Sequence, residues 1–388
     1  MPSQRSQEEL EAYIDETLRA HPEFQEGEEG EQLRRILMFS IGMPEVREMI
    51  EGALDELVVA KHIERLDQQS LKYCDVDSPE HRALESALYD VLQKAGDVLP
   101  DLVLNRGEVR VEPNPKPSVI SKIFGKDFLP ADHYVGTYLG KEKVVVKAIL
   151  HAGARDAVWA DRLKKEGEAW NRAWRKNKSY IVPIYGFIAQ KKVMPWISAV
   201  YPKYDNGTVV QYLDNNPSTD HMRIIRRIAE GMNALHNMCI IHGDLRGANI
   251  VIDKHGNPLI GNFDLDHISN SRLYAYISQE ESGRWRAPEM LEGRIPLASA
   301  DVYMFAMTAL EVLTHKEPYY YIERTSTVLE KIRKGVWPEE PKDAQVIQRG
   351  LHVGLWLVLS TCWMPDPGLR PEMKEVIHLL ERYYPGRR

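Results

Sequence analysis

Apolar residues recur at every third or fourth position through most of residues 1–100. Residues 6–9 form a capping-box sequence, which is typical of a helix start. Leu10, Ile14 and Leu18 follow it at the spacing of one helical face, and three further runs of the same spacing come after them. This pattern predicts four amphipathic helices with short connections, which is typical of an antiparallel bundle. We therefore predict an all-α, bundle-like regulatory region over residues 1–100.

The pattern changes after residue 100. Residues 101–117 carry prolines at 113, 115 and 117, which interrupt a helix, so this stretch is predicted to be a linker or an extended entry to the next domain. The sequence VGTYLGKEKVVVKAIL then predicts two strands with a tight turn at residues 139–141. From about residue 220 the pattern is mostly helical. Strands followed by helices indicate an α+β domain over 118–388, with a sheet lobe at 118–204 and a helical lobe at 205–388.

Composition and cysteine content limit the class of protein. An apolar content of 43% with 28% charged residues is typical of a soluble globular chain. No run approaches the roughly 18–20 apolar residues that span a bilayer. The three cysteines are far apart, which disfavours a disulfide framework or a metal knuckle and suits a reducing compartment. We therefore expect a cytoplasmic protein.

Charge is distributed unevenly. Residues 1–100 contain 23 acidic and 10 basic side chains, a net charge of −13, whereas the remainder carries +6 within the total of −7. Either the acidic region docks on the basic remainder, or it is a solvated acidic face. The negative charge argues against nucleic-acid binding and against anionic membranes as partners of this region.

Five separated motifs occur in a fixed order. They are VVVK at 144–147, HGDLRGAN at 242–249, APE at 287–289, DVYMFA at 301–306 and CWMPDPGLRP at 362–371. Together they resemble the landmarks of the eukaryotic protein-kinase family, and of its tyrosine-kinase-like group in particular. The resemblance covers roughly residues 118–385 and implies a bilobal protein-kinase-like fold.

The resemblance also implies roles for individual residues. Lys147 would bind the α- and β-phosphates of ATP, and Glu166 on the next helix, or alternatively Glu168, would pair with Lys147. Asp244 would accept the proton of the substrate hydroxyl. Asn249 would ligate a Mg²⁺ or Mn²⁺ ion through its amide oxygen.

Three positions would shape the adenine pocket. Val145 stands where the family usually has alanine against the adenine ring, so its two added methyl groups intrude on that face. Tyr201 occupies the position before the hinge and would narrow the back of the pocket. Lys203 belongs to the hinge itself. The implied cofactor is ATP, held in a modified pocket.

The sequence departs from the family pattern at the metal site. Asn262-Phe263-Asp264 stands thirteen residues after Asn249, where the family has Asp-Phe-Gly. An amide at residue 262 removes a full negative charge from the site that binds Mg²⁺, a cation that prefers charged oxygen ligands. Asp264 or Asp266 is the alternative carboxylate.

The glycine-rich loop is also altered. The stretch before β-strand sequence VGTYLG is SKIFGKDFLPADHY, with Gly125 as its one glycine and Pro130 near its end. Fewer glycines weaken the approach of backbone N–H groups to phosphates. The residues implied for the fold are kept, however: Trp170, His242, Phe263 and Asp301 for the internal spine, and Glu289 with Arg370 for a buried ion pair.

This contrast predicts a pseudokinase, a kinase-shaped scaffold or signalling regulator with absent or weak phosphotransfer and a protein partner. One alternative is an active Mg- or Mn-ATP-dependent protein kinase with an atypical metal site, acting on Ser/Thr or Tyr of a protein substrate. A second alternative is a pseudokinase that controls a helical-bundle effector, a layout similar to that of mixed-lineage kinase-domain-like proteins. The net charge of residues 1–100 opposes the membrane contact that this second alternative requires.

Overall fold

A computed structural model describes residues 108–111, 133–149, 157–190, 196–261 and 282–383, with residues 12, 89 and 104 as single positions. The predicted bundle over residues 1–100 lies outside the described residues apart from two helical positions. The predicted linker at 101–117 is described only at residues 104 and 108–111. The chain divides into two units, and residues 142–388 belong to the larger one.

Five strands form the sheet of the smaller lobe. They are β1 (Val109–Val111), β2 (His133–Tyr138), β3 (Glu142–Ile149), β4 (Gly186–Gln190) and β5 (Trp196–Pro202), in the spatial order β1-β2-β3-β5-β4. β5 is antiparallel to both of its neighbours. The turn predicted at 139–141 is confirmed, with positive φ at Leu139 and Gly140. Helix α1 (Ala157–Lys176) follows β3 along the chain.

The larger lobe is mostly helical. Its α-helices are α2 (Val209–Asn215), α3 (His221–His236), α4 (Pro288–Leu291), α5 (Ala298–Thr314), α6 (Thr325–Arg333), α7 (Ala344–Gln348), α8 (Val353–Cys362) and α9 (Met373–Tyr383). A hairpin of β6 (Ile250–Ile252) and β7 (Pro258–Ile260) lies between α3 and α4 along the chain. The α+β prediction of a sheet lobe followed by a helical lobe is confirmed.

Helix α3 precedes the HGDLRGAN motif in the chain. The carboxylate of Asp220 caps it by accepting the N–H of Arg223 at 3.0 Å, which satisfies an otherwise unpaired donor. Ile224, Ile228 and Leu235 lie on its buried face, at the spacing that turns one side of a helix towards the core. The helix ends at His236, five residues before the loop that carries Asp244.

Helix α5 is the centre of this lobe. Every side chain from Ala300 to Thr314 is buried, as expected for a helix that is apolar on nearly all sides. α3 and α8 pack against it, and it contacts the short 3-10 helix Gly247–Asn249. The few polar side chains of α5 therefore lie within reach of the loop between α3 and β6.

Candidate active site

One buried carboxylate fixes the start of the loop at 241–249. Asp301 of α5 accepts the N–H groups of His242 at 2.8 Å and Gly243 at 2.9 Å, and His236 Nε2 lies 2.9 Å from the same carboxylate. Gly243 has a φ of 76°, a left-handed conformation that glycine adopts at little cost. A glycine at residue 243 therefore suits the backbone conformation that this turn adopts.

His242 connects this loop to the end of β7. Its Nε2 donates to the carbonyl of Gly261 at 3.0 Å, so its Nδ1 is the acceptor for the N–H of Asp244 at 3.2 Å. Complete burial lowers the pKa of His242, which keeps the ring neutral. Trp170 packs edge-to-face on this ring, with 6.0 Å between centroids. Two of the predicted spine residues are therefore neighbours, while Phe263 lies outside the described residues.

The carboxylate of Asp244 is held in its ionised form. Burial would raise the pKa of Asp244, but the positive charges of Arg246, Lys147 and Arg286 outweigh burial and lower it. Arg246 Nε lies 3.4 Å from Asp244 Oδ2, and Asn249 Nδ2 donates to the same oxygen at 2.7 Å. An ionised, oriented carboxylate can accept a hydrogen bond from a hydroxyl group and then its proton.

Asn249 presents an unused oxygen. Its Nδ2 also donates to the backbone carbonyl of Asp244 at 2.7 Å, and these two bonds fix the orientation of the amide. The side chain is buried, yet its Oδ1 has no hydrogen-bond partner among the described residues. A buried amide oxygen without a partner suits a hard divalent cation, so the donor set fits the predicted metal.

Asn249 is one of the residues that line a cleft of about 360 Å³. The structure brings four predicted nucleotide-binding residues to its wall: Val145, Tyr201, Lys203 and Asn249. Val145 and Tyr201 are register partners on β3 and β5, which explains why residues distant in sequence meet there. The volume lies within the range of small-molecule sites, roughly 300–1,000 Å³. The N–H of Tyr204, also on the wall, has no hydrogen-bond partner within the described parts of the chain.

The pairing of Lys147 with an acid of α1 is a prediction that the described residues do not decide. Lys147 is half-buried on β3, opposite Ala199. In the described ranges no ion pair joins it to Glu166 or Glu168, so its pairing stays a prediction. Glu166 is half-buried and lies one turn before Trp170, whereas Glu168 is exposed. The burial pattern favours Glu166 of the two.

The C-terminal half of α1 is anchored. Trp170 Nε1 donates to the carbonyl of Val182 at 2.7 Å. The amide of Asn171 makes two hydrogen bonds with the backbone of Ile184, at 2.8 and 2.9 Å. The anchoring fixes the end of the helix nearest to His242.

Several predicted features fall on residues that the structure does not describe. They are Asn262 with Phe263 and Asp264, the alternative carboxylate Asp266, and the glycine-poor stretch with Gly125 and Pro130. Gly261 is the last described residue before Asn262. The N–H of Gly261 donates to the carbonyl of Asn249 at 3.0 Å, so Gly261 lies beside Asn249.

The predicted buried ion pair is confirmed. Arg370 binds Glu289 through both nitrogens, with NH1–Oε1 at 2.7 Å and NH2–Oε2 at 2.8 Å. Such bidentate pairs are among the strongest polar contacts in proteins.

Sequence reasoning missed Glu311 of α5. Its carboxylate accepts the backbone N–H of Gly247 and the indole N–H of Trp285, both at 2.8 Å. The available signal was a lone glutamate within an otherwise apolar helical run. Such a residue is buried at a cost unless it has partners.

Arg284 was missed as well. Its guanidinium is buried and donates to the carbonyls of Pro318, Tyr319, Ile322 and Glu323 at 3.0–3.2 Å. It therefore binds the segment before α4 to the loop after α5.

A family model of protein tyrosine and serine/threonine kinases matches residues 132–380. Among similar proteins of Arabidopsis thaliana, serine/threonine-protein kinase STY17 is 28% identical over 253 residues, which cover 64% of this chain and 41% of the relative. Serine/threonine-protein kinase STY46 is 27% identical over 256 residues, with coverage of 64% and 41%. L-type lectin-domain containing receptor kinase S.1 is 25% identical over 281 residues, with coverage of 64% and 39%.

The chain thus spans about two fifths of the length of these relatives. Among the described residues, no helix is both long and apolar enough to cross a membrane. The family match covers both lobes and includes all five motifs. This chain therefore belongs to the protein tyrosine and serine/threonine kinase family.

Proposed function

We propose that this kinase domain binds ATP in its cleft but transfers phosphate weakly or not at all, and that it acts as a pseudokinase scaffold or signalling regulator. The observation that carries the proposal is Asn262 in place of the metal-binding aspartate. The preceding Gly261 is fixed on both sides, by Asn249 and by His242. Gly261, which precedes Asn262 in the sequence, therefore lies beside Asn249, the other proposed metal ligand.

Loss of one carboxylate weakens metal binding because Mg²⁺ prefers charged oxygen ligands in a tight octahedral shell. Asn249 would remain as a ligand through its unused Oδ1. Bound Mg-ATP would supply the γ-phosphoryl group and a cation to neutralise charge on its oxygens. With two amide ligands in place of an amide and a carboxylate, that neutralisation would be incomplete.

The remaining residues would act by position and charge. Lys147 would bind the α- and β-phosphates, and its positive charge already lowers the pKa of Asp244 from nearby. Asp244 would orient a substrate hydroxyl and accept its proton. Val145, Tyr201 and Lys203 would surround the adenine ring, and the backbone N–H of Tyr204, which has no partner among the described residues, would donate to the ring.

The second candidate is an active kinase with an atypical metal site. The ionised, oriented Asp244 and the unused Asn249 Oδ1 favour it, because both are features that phosphoryl transfer requires. The relatives STY17 and STY46 are serine/threonine-protein kinases by name, which favours serine and threonine of a protein substrate over tyrosine.

We also propose a cytoplasmic setting, protein partners rather than nucleic acid, and docking of acidic residues 1–100 on a basic surface. The supporting observations are the three dispersed cysteines and the net charge of −13 in residues 1–100.

Transfer of labelled γ-phosphate to a generic protein substrate, with Mg²⁺ and then Mn²⁺, tests the proposal. The wild type should be inactive or nearly so, and Asn262→Asp should gain activity, on the order of 10-fold or more for a restored metal ligand. Asp244→Ala serves as the contamination control. Robust wild-type transfer that disappears in Asp244→Ala would overturn the proposal in favour of the second candidate.

A further inference from the structure

Glu311 is an unusual residue for its surroundings. It lies in α5, where nearly all neighbours along the helix are apolar and buried. The other buried carboxylate of this helix, Asp301, already fixes the start of the catalytic loop. Because a buried carboxylate is costly without strong partners, the contacts of Glu311 indicate what it does.

A single oxygen of Glu311 joins two segments that are distant in sequence. Oε2 accepts the backbone N–H of Gly247 at 2.8 Å and the indole N–H of Trp285 at 2.8 Å. Gly247 belongs to the loop between Asp244 and Asn249, and Trp285 belongs to the segment 282–287 that leads into α4. The carboxylate of Glu311 therefore connects the loop at 244–249 to the segment at 282–287.

Gly247 is matched to Glu311 in space. A Cβ atom on Gly247 would lie 2.6 Å from Glu311 Oε1 and 2.8 Å from its Cδ. Its φ is not in the positive range, so the backbone conformation is open to other residues. Glycine at this position thus leaves room for the close approach of the carboxylate, and an added Cβ would force the carboxylate or the loop to shift.

Displacement of Gly247 would be transmitted to the nucleotide cleft. Gly247 and Asn249 belong to one short 3-10 helix, and Asn249 N–H bonds to the carbonyl of Arg246 at 2.9 Å. Asn249 lines the cleft and carries the unused Oδ1. A shift of about 1 Å in the position of a metal-binding side chain is enough to weaken binding at a site strongly.

We propose that Glu311 is a positioning residue, whose one buried oxygen holds the Asp244–Asn249 loop against residues 282–287 and so keeps Asn249 presented to the metal of a bound nucleotide. The inference rests on the nucleotide binding proposed above. It adds a residue outside the cleft that regulates the same site.

The charge of Glu311 is sensitive to pH in the neutral range. Burial raises its pKa to about 7, against the lowering effect of the Gly247 and Trp285 hydrogen bonds. Among the described residues, Arg246 of the loop lowers this pKa and Glu317, after α5, raises it. Protonation removes the charge assistance from both hydrogen bonds, so acid should loosen the junction.

The first test needs no bound nucleotide. The indole N–H resonance of Trp285, assigned with Trp285→Phe, is followed from pH 5.5 to 8.5 in the full chain. We expect one titration step near pH 7 that is absent in Glu311→Gln, because glutamine keeps an acceptor oxygen but cannot ionise. A resonance that does not respond to pH, or an unchanged step in Glu311→Gln, would overturn the proposal.

The second test measures affinity for a non-hydrolysable Mg-ATP analogue at pH 6 and pH 8. The ratio of wild-type to Glu311→Gln affinity cancels the titration of the nucleotide itself, and it should be several-fold larger at pH 8. Glu292→Gln, an exposed carboxylate paired with Arg294, is the matched control and should give a ratio independent of pH. A Glu311→Gln ratio equal at both pH values would contradict the proposal.

A double-mutant cycle tests the spatial match. Gly247→Ala should weaken nucleotide affinity by about 10-fold or more because its Cβ meets the carboxylate. Gly247→Ala combined with Glu311→Ala should recover part of that loss, and additive effects would contradict the match. If the wild type binds no nucleotide, the proposed cofactor fails, whereas the Trp285 titration still decides the role of Glu311.

Discussion

The two sides of the cleft differ in how firmly the chain holds its chemical groups. On the helical-lobe side, Asp244 and Asn249 are fixed by Asp301, His242 and each other through hydrogen bonds of 2.7–3.2 Å. On the sheet side, Lys147 has no ion pair with α1 within the described residues. The comparison teaches that the loop is held by buried hydrogen bonds of the fold itself, whereas Lys147 is not held by an acid of α1 in the part of the chain that the structure describes.

The largest expected effect comes from the carboxylate under the loop. Asp301→Asn should reduce the free energy of unfolding by about 3–5 kcal/mol, because His242 N, Gly243 N and His236 would lose a buried, charged acceptor. Urea titration measures the change. Asp205→Asn, with a side chain 96% exposed, is the control and should change stability by less than about 0.5 kcal/mol. A small effect of Asp301→Asn would mean that the hydrogen bonds between Asp301 and the loop contribute little to the stability of the fold.

The next effect tests the segment before α4. Arg284→Lys should reduce the free energy of unfolding by about 2–3 kcal/mol. The reason is that one ammonium group cannot reach the carbonyls of both Pro318 and Glu323 as the planar guanidinium does. Arg294→Lys is the exposed control. Equal unfolding free energies for the two variants would show that the hydrogen bonds of Arg284 are replaced by water.

A pH-dependent effect of intermediate size concerns His221. Burial lowers its pKa to about 4, below its ordinary value of 6.5, so the unfolded chain binds a proton before the folded chain does. Stability from the neutral ring is present above pH 6.5 and is lost as pH falls towards 4, by about 1–2 kcal/mol. Unfolding free energies of the wild type and His221→Gln at pH 7.5 and pH 5 should differ in slope. Parallel slopes would contradict the assignment.

The smallest stability effect belongs to the sheet side. Lys147→Met should change the free energy of unfolding by less than about 0.5 kcal/mol, because the lysine has no ion pair with the acids of α1 in the described residues. Affinity for a Mg-ATP analogue should nevertheless fall by about 10-fold. Calorimetry of analogue binding and urea unfolding of the same variant separate the effect on affinity from the effect on stability. A loss of stability as large as that of Asp301→Asn would erase the difference between the two sides.

The position of Lys147 on a strand, and of the loop at 241–249 between elements, could be predicted because their signals are short and local. HGDLRGAN is a run of eight consecutive residues, and VVVK is a run of four. The apolar runs around both motifs indicate that they are buried. The Glu289–Arg370 pair was predicted from motif resemblance and the structure confirms it. The Lys147–Glu166 pair stays a prediction, because contact between a strand and the next helix depends on how that helix is placed.

The sequence by itself determined the α+β order of elements and the family, and it predicts Asn262 at the position where the family has its metal-binding aspartate. Only the tertiary structure decided that Asn249 Oδ1 is unused, and that Glu311 reaches Gly247 and Trp285 across separations of 64 and 26 residues. The physical reason is that a motif specifies residue types along the chain. Which buried donor meets which acceptor is set by packing between elements, where each polar group must find a partner or lose the stability that water gave it.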